Sequence, residues 1–385
     1  MIGFDFNTIE WTLLGIVGGL FLIQVYWYAR YLCAPARRIR KSKGEGLAVS
    51  GERPGVTVVL CAHNEAYNLS NYLQALITQD YPEYEVIVVD DGSEDDTRTV
   101  VERYMAACPY LHMTFVPYGA RVGSTKKLAL TLAAKAAKYD YLLLTDADCV
   151  PESNQWIRQM MEGFGYGKDI VLGFSPYFET KGHINRLVRF DTLFNGLHYL
   201  GAALCGHPYM GVGRNLAYRK SLFFESGGFT HMMTSRAGDD DLFVNHLATK
   251  QNTAVVVNPE AYVWSVPKTT IKEWWQQKRR HVSVSPAYRA GTKFRLTLEP
   301  LTRGLFYAAV LVMVIVAVTG YGAWVIGLAA LALFLIRWIM QTIMINVSAR
   351  RMGLRRFSMF SILWFDIVLP LVNLWMIIVP KKYKW

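Results

Sequence analysis

Three short acidic runs carry the side chains that could do chemistry in this chain. Asp146-Ala147-Asp148 follows the apolar run Tyr141–Thr145. Two carboxylates one residue apart at the end of a strand can both approach a hard divalent cation while that cation bridges a diphosphate. Asp90-Asp91-Gly92-Ser93 follows Val86–Val89, although a carboxylate before Gly-Ser is equally common turn chemistry. Gly238-Asp239-Asp240-Asp241-Leu242 opens a helical stretch, where acidic side chains favour the helix N-terminus. Capping therefore competes with chemistry there. Each run alone is a weak signal, and its value comes from where the surrounding elements place it.

Those elements read as an α/β sheet. From Pro54 to Val266, β-rich runs at Val56–Cys61, Glu85–Val89, Met113–Val116 and Tyr141–Thr145 alternate with helical stretches. Open α/β sheets bind ligands at the carboxyl ends of their strands. The runs end in polar residues: Ala62-His63-Asn64-Glu65 after the first, Asp90-Asp91 after the second, Asp146-Ala147-Asp148 after the last.

The rest of the chain is apolar in blocks. Of 385 residues 52% are hydrophobic, and they concentrate in Ile9–Leu32 and Gly304–Val379. The formal charge of +11 might suggest nucleic acid. Much of it, however, flanks the apolar blocks (Arg37, Arg38, Arg40, Lys41 and Lys43, then Arg350, Arg351, Arg355 and Arg356), the pattern that orients membrane spans and attracts anionic headgroups. No nucleic-acid reader motif accompanies it. The five cysteines show no paired metal-ligand spacing and read as reduced thiols.

Trp11–Leu32 is long enough to cross a bilayer core. Asp5 and Glu10 precede it and the basic cluster follows, so it reads as an uncleaved anchor with the N-terminus outside and the next segment cytoplasmic. The C-terminal block divides into Gly304–Thr319, a Gly320-Tyr321-Gly322 turn, Ala323–Val347, a basic link and Phe357–Val379. Gly304–Thr319 is short for a span. Phe357–Val379 is expected to span, yet Asp366 and Pro370 near its middle suit a re-entrant or interfacial element, and a span would leave Lys381, Lys382 and Lys384 outside. The expected organisation is an anchor over 1–35, a basic linker over 36–53, an α/β domain over 54–266, an interfacial segment over 267–303 and a transmembrane region over 304–385.

In their order, VTVVLCAHNE, VIVVDDGSEDDT, KKLAL followed by YDYLLLTDADCVP, and GDDDLF resemble the successive motifs of family 2 inverting glycosyltransferases, across about residues 54–282. The resemblance implies a GT-A fold, a nucleotide-binding α/β sandwich, here with one N-terminal and two or three C-terminal transmembrane helices. It also implies Mg2+ or Mn2+ and a nucleotide-sugar donor. By position, Asp90, Asp91 and Glu65 would hold the uridine, Asp146 and Asp148 would be the metal-binding D-x-D pair, and Lys126 would sit near the nucleotide, with Lys127 as competitor. An inverting transfer needs a carboxylate to take the acceptor proton. The family pattern Glu-Asp-X-Asp-Leu maps that base onto Asp239, with Asp240 in reserve because Gly238 and the triple Asp blur the register. Asp241 would then cap the helix. Gln277-Lys278-Arg279-Arg280-His281 resembles the Q-x-x-R-W gate of membrane synthases and ceramide-type glucosyltransferases, with Gln277 and Arg280 on the donor side and His281 replacing Trp. The surrounding Trp/Arg-rich helix also suits a membrane interface.

The expected protein is thus a multi-pass plasma-membrane enzyme with a cytosolic active domain. It would move a sugar from a UDP-linked donor to a lipid or lipid-linked glycan acceptor. Two alternatives stay open: a processive polysaccharide synthase, and a non-catalytic scaffold with a transferase-like domain.

Overall fold

The computed structural model describes residues 8–42, 53–117, 119, 124–165, 167–232, 237–319 and 324–379. Helix α1 (Thr8–Trp27) continues through one π-helical turn (Tyr28–Leu32) into α2 (Ala34–Ser42). An alternation follows: β1 (Val56–Ala62), α3 (Ala66–Ile77), β2 (Tyr84–Asp90), α4 (Thr97–Met105), β3 (Leu111–Phe115), α5 (Thr125–Ala136) and β4 (Tyr141–Asp146). The second half holds β5 (Cys149–Pro151), α6 (Trp156–Glu162), β6 (Ile170–Leu172), α7 (His183–Leu204), β7 (Leu216–Arg219), α8 (Lys220–Glu225), α9 (Asp241–Leu247), β8 (Thr253–Val255) and β9 (Val263–Ser265). Four helices close the chain: α10 (Ile271–Val282), α11 (Ala290–Thr319), α12 (Trp324–Arg351) and α13 (Met359–Ile378).

A seven-stranded mixed sheet runs β3-β2-β1-β4-β7-β6-β8, and β5 pairs with β9 in a separate ribbon. Strands β1 to β4 are mutually parallel, while β7 runs antiparallel to β4 and β6. Both faces of β1 are covered, which explains its unbroken apolar run. Val56, Val58 and Leu60 join Leu69, Leu73 and Leu76 of α3, and Val59 joins Ala129, Leu130 and Ala133 of α5. The register sets Cys61 beside Asp146 and Ala62 beside Asp90, so the polar ends of three strands form one edge.

Helices α1, α11 and α12 pack around Val17, Phe306, Met313, Ile326 and Ala330, and turn Leu22, Leu311, Ile315 and Leu328 outward. By length and composition, α1 through Leu32, α11, α12 and α13 could each cross a membrane. The shortness of Gly304–Thr319 is answered by its upstream flank, since α11 already begins at Ala290. The Gly320–Gly322 turn and the lysines at 381, 382 and 384 lie outside the described residues. The bundle is joined to the α/β domain at close range: a Cβ on Gly201 of α7 would stand 2.1 Å from the Tyr31 carbonyl oxygen, so only glycine allows this approach.

Candidate active site

The loops after β1 and β2 are bonded into one edge. Asn64 takes a left-handed conformation (φ 57°), its N–H donates to Ser93 Oγ at 3.0 Å and its Oδ1 accepts from Glu94 N at 2.8 Å. The left-handed region is one that Asn tolerates better than most residues. Ser93 N donates to Asp90 Oδ1 at 2.9 Å, and His63 Nδ1 stands 2.7 Å from the Asp91 carbonyl. The Asp91 carboxylate takes no hydrogen bond from any described residue. Glu65, opening α3, accepts from Asn68 Nδ2 at 2.6 Å. Burial lifts its carboxyl above the usual range, Asn68 opposes this, and the charges of Asp148 and Asp146 add to it.

At the tip of β4 two carboxylates crowd together. Lys126 Nζ lies 2.9 Å from Asp146 Oδ1 and 3.5 Å from Asp239 Oδ2, bridging the end of β4 to the start of the 239–241 run. Burial would raise the Asp146 carboxyl, but the Lys126 ammonium outweighs it and holds the group below its ordinary value. Asp148 has no such cation in contact, so burial and then the Asp146 charge push it up. Ligand atoms of Asp146, Asp148 and Cys149 lie within 4.8 Å of one another. Burial keeps the Cys149 thiol neutral, far above its usual range, and a neutral thiol is a poor ligand for a hard cation. Two carboxylates, one of them with no ion-paired cation in contact among the described residues, fit a divalent ion through oxygen.

The 238–241 run resolves residue by residue. Gly238 has φ 88°, and a Cβ there would come within 2.8 Å of Leu242 Cγ and Val284 Cγ1, which explains glycine where the related motif carries Glu. That turn presents Asp239, with 14% of its side chain exposed, to Lys126. Asp240 caps α9: its Oδ1 accepts from Asp241 N at 2.8 Å and its Oδ2 from Gly213 N at 2.7 Å. Burial, then Asp239, raises its carboxyl. The sequence placed the cap on Asp241 and held Asp240 in reserve as base. The cap falls instead on Asp240, because the turn at Gly238 starts the helix one residue earlier. Asp241 is buried and hydrogen-bonded to Tyr288.

Helix α10 opens with a capping box between Thr270 and Glu273. Its inner face buries Trp274, Lys278 and Arg279, with Lys278 Nζ 2.6 Å from Asp191 of α7. Gln277, Arg280 and His281 lie outside this buried set. Gln277 Nε2 donates to Tyr177 OH at 2.8 Å, and Arg280 lies close enough to Asp146 to lower its carboxyl. The helical phase thus separates two adjacent cations, Arg279 inward and Arg280 toward the site.

Two assignments could not be read from the chain. Lys126 and Lys127 are both on the first turn of α5, but only Lys126 reaches the carboxylates. Lys127 is fully buried and donates to the carbonyls of Met232 at 2.7 Å and Ala237 at 3.0 Å. Arg214 stacks over the Tyr177 ring at 4.4 Å and sits in the electrostatic range of Asp148 and Asp146. In the sequence it stands only within residues 211–217, a glycine-flanked segment that resembles the acceptor-side segment of family 2 transferases and suits turn packing equally well.

The fold is GT-A-like: acidic strand tips meet at one edge of a domain carried on helices of membrane-spanning length. The chain belongs to glycosyl transferase family 21, whose profile matches residues 19–380. It is similar to the chondroitin synthase of Escherichia coli, 26% identical over 49% of this chain and 31% of that protein. It is also similar to the poly-beta-1,6-N-acetyl-D-glucosamine synthase of Staphylococcus epidermidis, 25% identical over 71% of this chain and 62% of that protein. The chain thus spans 31% to 62% of the length of these relatives. Among solved structures, the mannosyltransferase PcManGT of Pyrobaculum calidifontis, in complex with GDP-Man and Mn2+, superposes with TM-score 0.55 at 20% identity. It covers 89% of this chain and 99% of its own, a likeness in fold.

Proposed function

We propose that this chain is an inverting transferase that moves a sugar from a nucleoside-diphosphate donor, UDP-linked, to a lipid or lipid-linked acceptor at the cytosolic face of the plasma membrane. The observation that carries this reading is the Lys126 bridge between Asp146 and Asp239. It joins a carboxylate fit for a metal-diphosphate to one with no capping duty, at one place.

Asp239 accepts the proton of the acceptor hydroxyl as that oxygen bonds to the anomeric carbon and the bond from that carbon to the diphosphate oxygen breaks. The diphosphate leaves with the electron pair. Lys126, Arg214 and Arg280 stabilise the charge that develops on it. Glu65, Asp90 and Asp91 hold the nucleoside. Asp146 and Asp148 would hold Mg2+ or Mn2+, which supplies Lewis-acid neutralisation of the diphosphate when bound. The solved mannosyltransferase of like fold was studied with Mn2+ and a nucleotide sugar, in keeping with this. The apolar helices beside the site favour an acceptor already in the membrane.

The similarity to polysaccharide synthases supports a second reading, processive transfer. The test uses full-length protein in nanodiscs with Mn2+ or Mg2+, UDP- and GDP-sugars and candidate lipids. The proposal expects one-sugar lipid products of inverted anomeric configuration, abolished in Asp239→Asn with nucleotide binding intact. Long polymer would favour the synthase reading, and retained configuration or an active Asp239→Asn would remove the assigned base.

A further inference from the structure

Helix α13 has the composition of a membrane span but packs as something else. Its buried residues Ile362, Phe365 and Leu369 belong to the apolar cluster that joins the sheet and α7 to Ile345 and Ala349 of α12, with Phe365 centred 4.9 Å from Phe190 of α7. The apolar centre shared by α1, α11 and α12 contains no residue of α13 among those described.

Both ends of α13 reach the α/β side, the start through Phe357 on Phe190 of α7 and the far end through Val379 on Arg279 of α10. Asn346 and Trp338, which also hold the start, belong to α12. At its start, Asn346 exchanges two hydrogen bonds with the Phe357 backbone, at 2.9 and 2.8 Å, and Phe357 meets Phe190 edge-on at 5.3 Å. Trp338 Nε1 donates to the Met359 carbonyl at 2.9 Å. At its far end, Arg279 donates to the Val379 carbonyl at 2.6 Å, and the α10 that carries Arg279 is anchored to α7 through Lys278 and Asp191. A helix of this length runs about 30 Å, the thickness of the hydrocarbon core. Were it to cross, its ends would lie on opposite membrane surfaces and could not both meet this domain.

The two residues that fit a span badly are used here. Pro370 has no N–H, so the Asp366 carbonyl lacks its helical partner. Arg303 Nη1 lies 3.4 Å from that oxygen and 2.6 Å from Asp366 Oδ1, and Arg337 Nη1 reaches Oδ2 at 3.0 Å. These bonds tie the middle of α13 to α11 and α12. The side turned away is a single apolar stripe, Phe360, Trp364, Ile367, Leu371, Trp375 and Ile378, each at least 42% exposed. Its helical spacing gives one face, and its tryptophans suit the headgroup boundary. The stripe is as apolar as the outward residues of α11 and α12, helices long and apolar enough to cross a bilayer, which names its occupant as lipid.

We propose that α13 lies in the plane of the membrane, its stripe in the acyl-headgroup boundary of the leaflet facing the α/β domain. The chain then crosses the bilayer three times, and Val379 stays on the side of the α/β domain with Arg350 and Arg356. The membrane surface would thereby hold, through Val379 and Arg279, the helix that presents Gln277 and Arg280.

The test uses full-length protein in sealed vesicles of both orientations. Cysteine is introduced as Arg356→Cys or added after Trp385, and labelled with a membrane-impermeant maleimide against the unmodified protein as background. Both sites should label from the same face; labelling from opposite faces overturns the proposal. Independently, spin labels at Phe360→Cys, Leu371→Cys and Ile378→Cys should report similar shallow depths from oxygen and nickel-chelate collisions. A deep maximum at 371 with shallow ends would be the profile of a span and would also overturn it.

Discussion

The backbone N–H of Gly213 donates to Asp240 Oδ2 at 2.7 Å, and this bond separates the duties of two neighbouring carboxylates. With its other oxygen on Asp241 N, Asp240 spends its acceptors on holding the turn. Asn keeps one capping oxygen, but its amide nitrogen cannot accept, so Asp240→Asn leaves one of the two N–H groups without its partner and should cost about 1 kcal/mol. It should lose at most about tenfold in transfer, while Asp239→Asn should lose about a hundredfold or more. Asp240→Ala should cost about 1–2 kcal/mol of stability as well. Initial rates of lipid glycosylation and melting temperatures in nanodiscs check all three; equal losses in the two Asn variants would place Asp240 in the chemistry.

Lys126 and Lys127 should separate in the same way. Lys126→Met removes the cation between Asp146 and Asp239 and should cut transfer about a hundredfold with little change in melting temperature. Lys127→Met leaves the carbonyls of Met232 and Ala237 short of a buried donor, which costs about 1–3 kcal/mol. Its activity per folded molecule should stay near normal, as read by comparing rates with the folded fraction.

These pairs mark what the sequence made legible. The strand tips were readable because buried parallel strands need unbroken apolar runs, and polar residues such as Asp90 and Asp146 can only follow them. Which lysine or which aspartate faces the site was not, because one residue on a helix is a rotation of about 100°, fixed by packing rather than by type. The cap on Asp240 was hidden for that reason, since three identical side chains carry no phase of their own. Arg214 was overlooked because its meaning lies in Tyr177 and Asp148, both distant along the chain. Hydropathy could not settle the placement of α13 for another reason: one face on a protein core and one on lipid gives the same hydropathy as a span.

His198 on α7 should make stability fall in acid. Burial, then the nearby Arg303, pulls its proton affinity down from 6.5 to about 3, so the folded protein keeps the ring neutral. Below pH 6.5 the unfolded chain binds a proton that the folded chain refuses, and stability drops as pH falls through the window between those values. At pH 5 the loss should reach about 2 kcal/mol. His198→Gln should flatten the melting temperature between pH 7 and 5; an unchanged slope would show that another group sets the acid limit.

Asp366 should be the residue on which the junction of bundle and α/β domain depends most. It is 2% exposed and answers two buried arginines, Arg303 and Arg337. Arg337 also has Tyr28, Tyr307 and Gln24 within hydrogen-bond reach, and Arg303 has Glu299, so neither is stranded completely when the acid is removed. Removing one partner of a buried ion pair nevertheless costs about 3–5 kcal/mol, because the charge left behind is already desolvated. Asp366→Ala should therefore lower stability by about that amount. Asp366→Asn should lose less, since its carbonyl still accepts from an arginine. Pro370→Ala should stay within about 1 kcal/mol, because the N–H it restores only competes with Arg303 for the Asp366 carbonyl. Melting temperatures in a single lipid composition rank the three, and a neutral Asp366→Ala would mean that Glu299 and the tyrosines already balance both arginines.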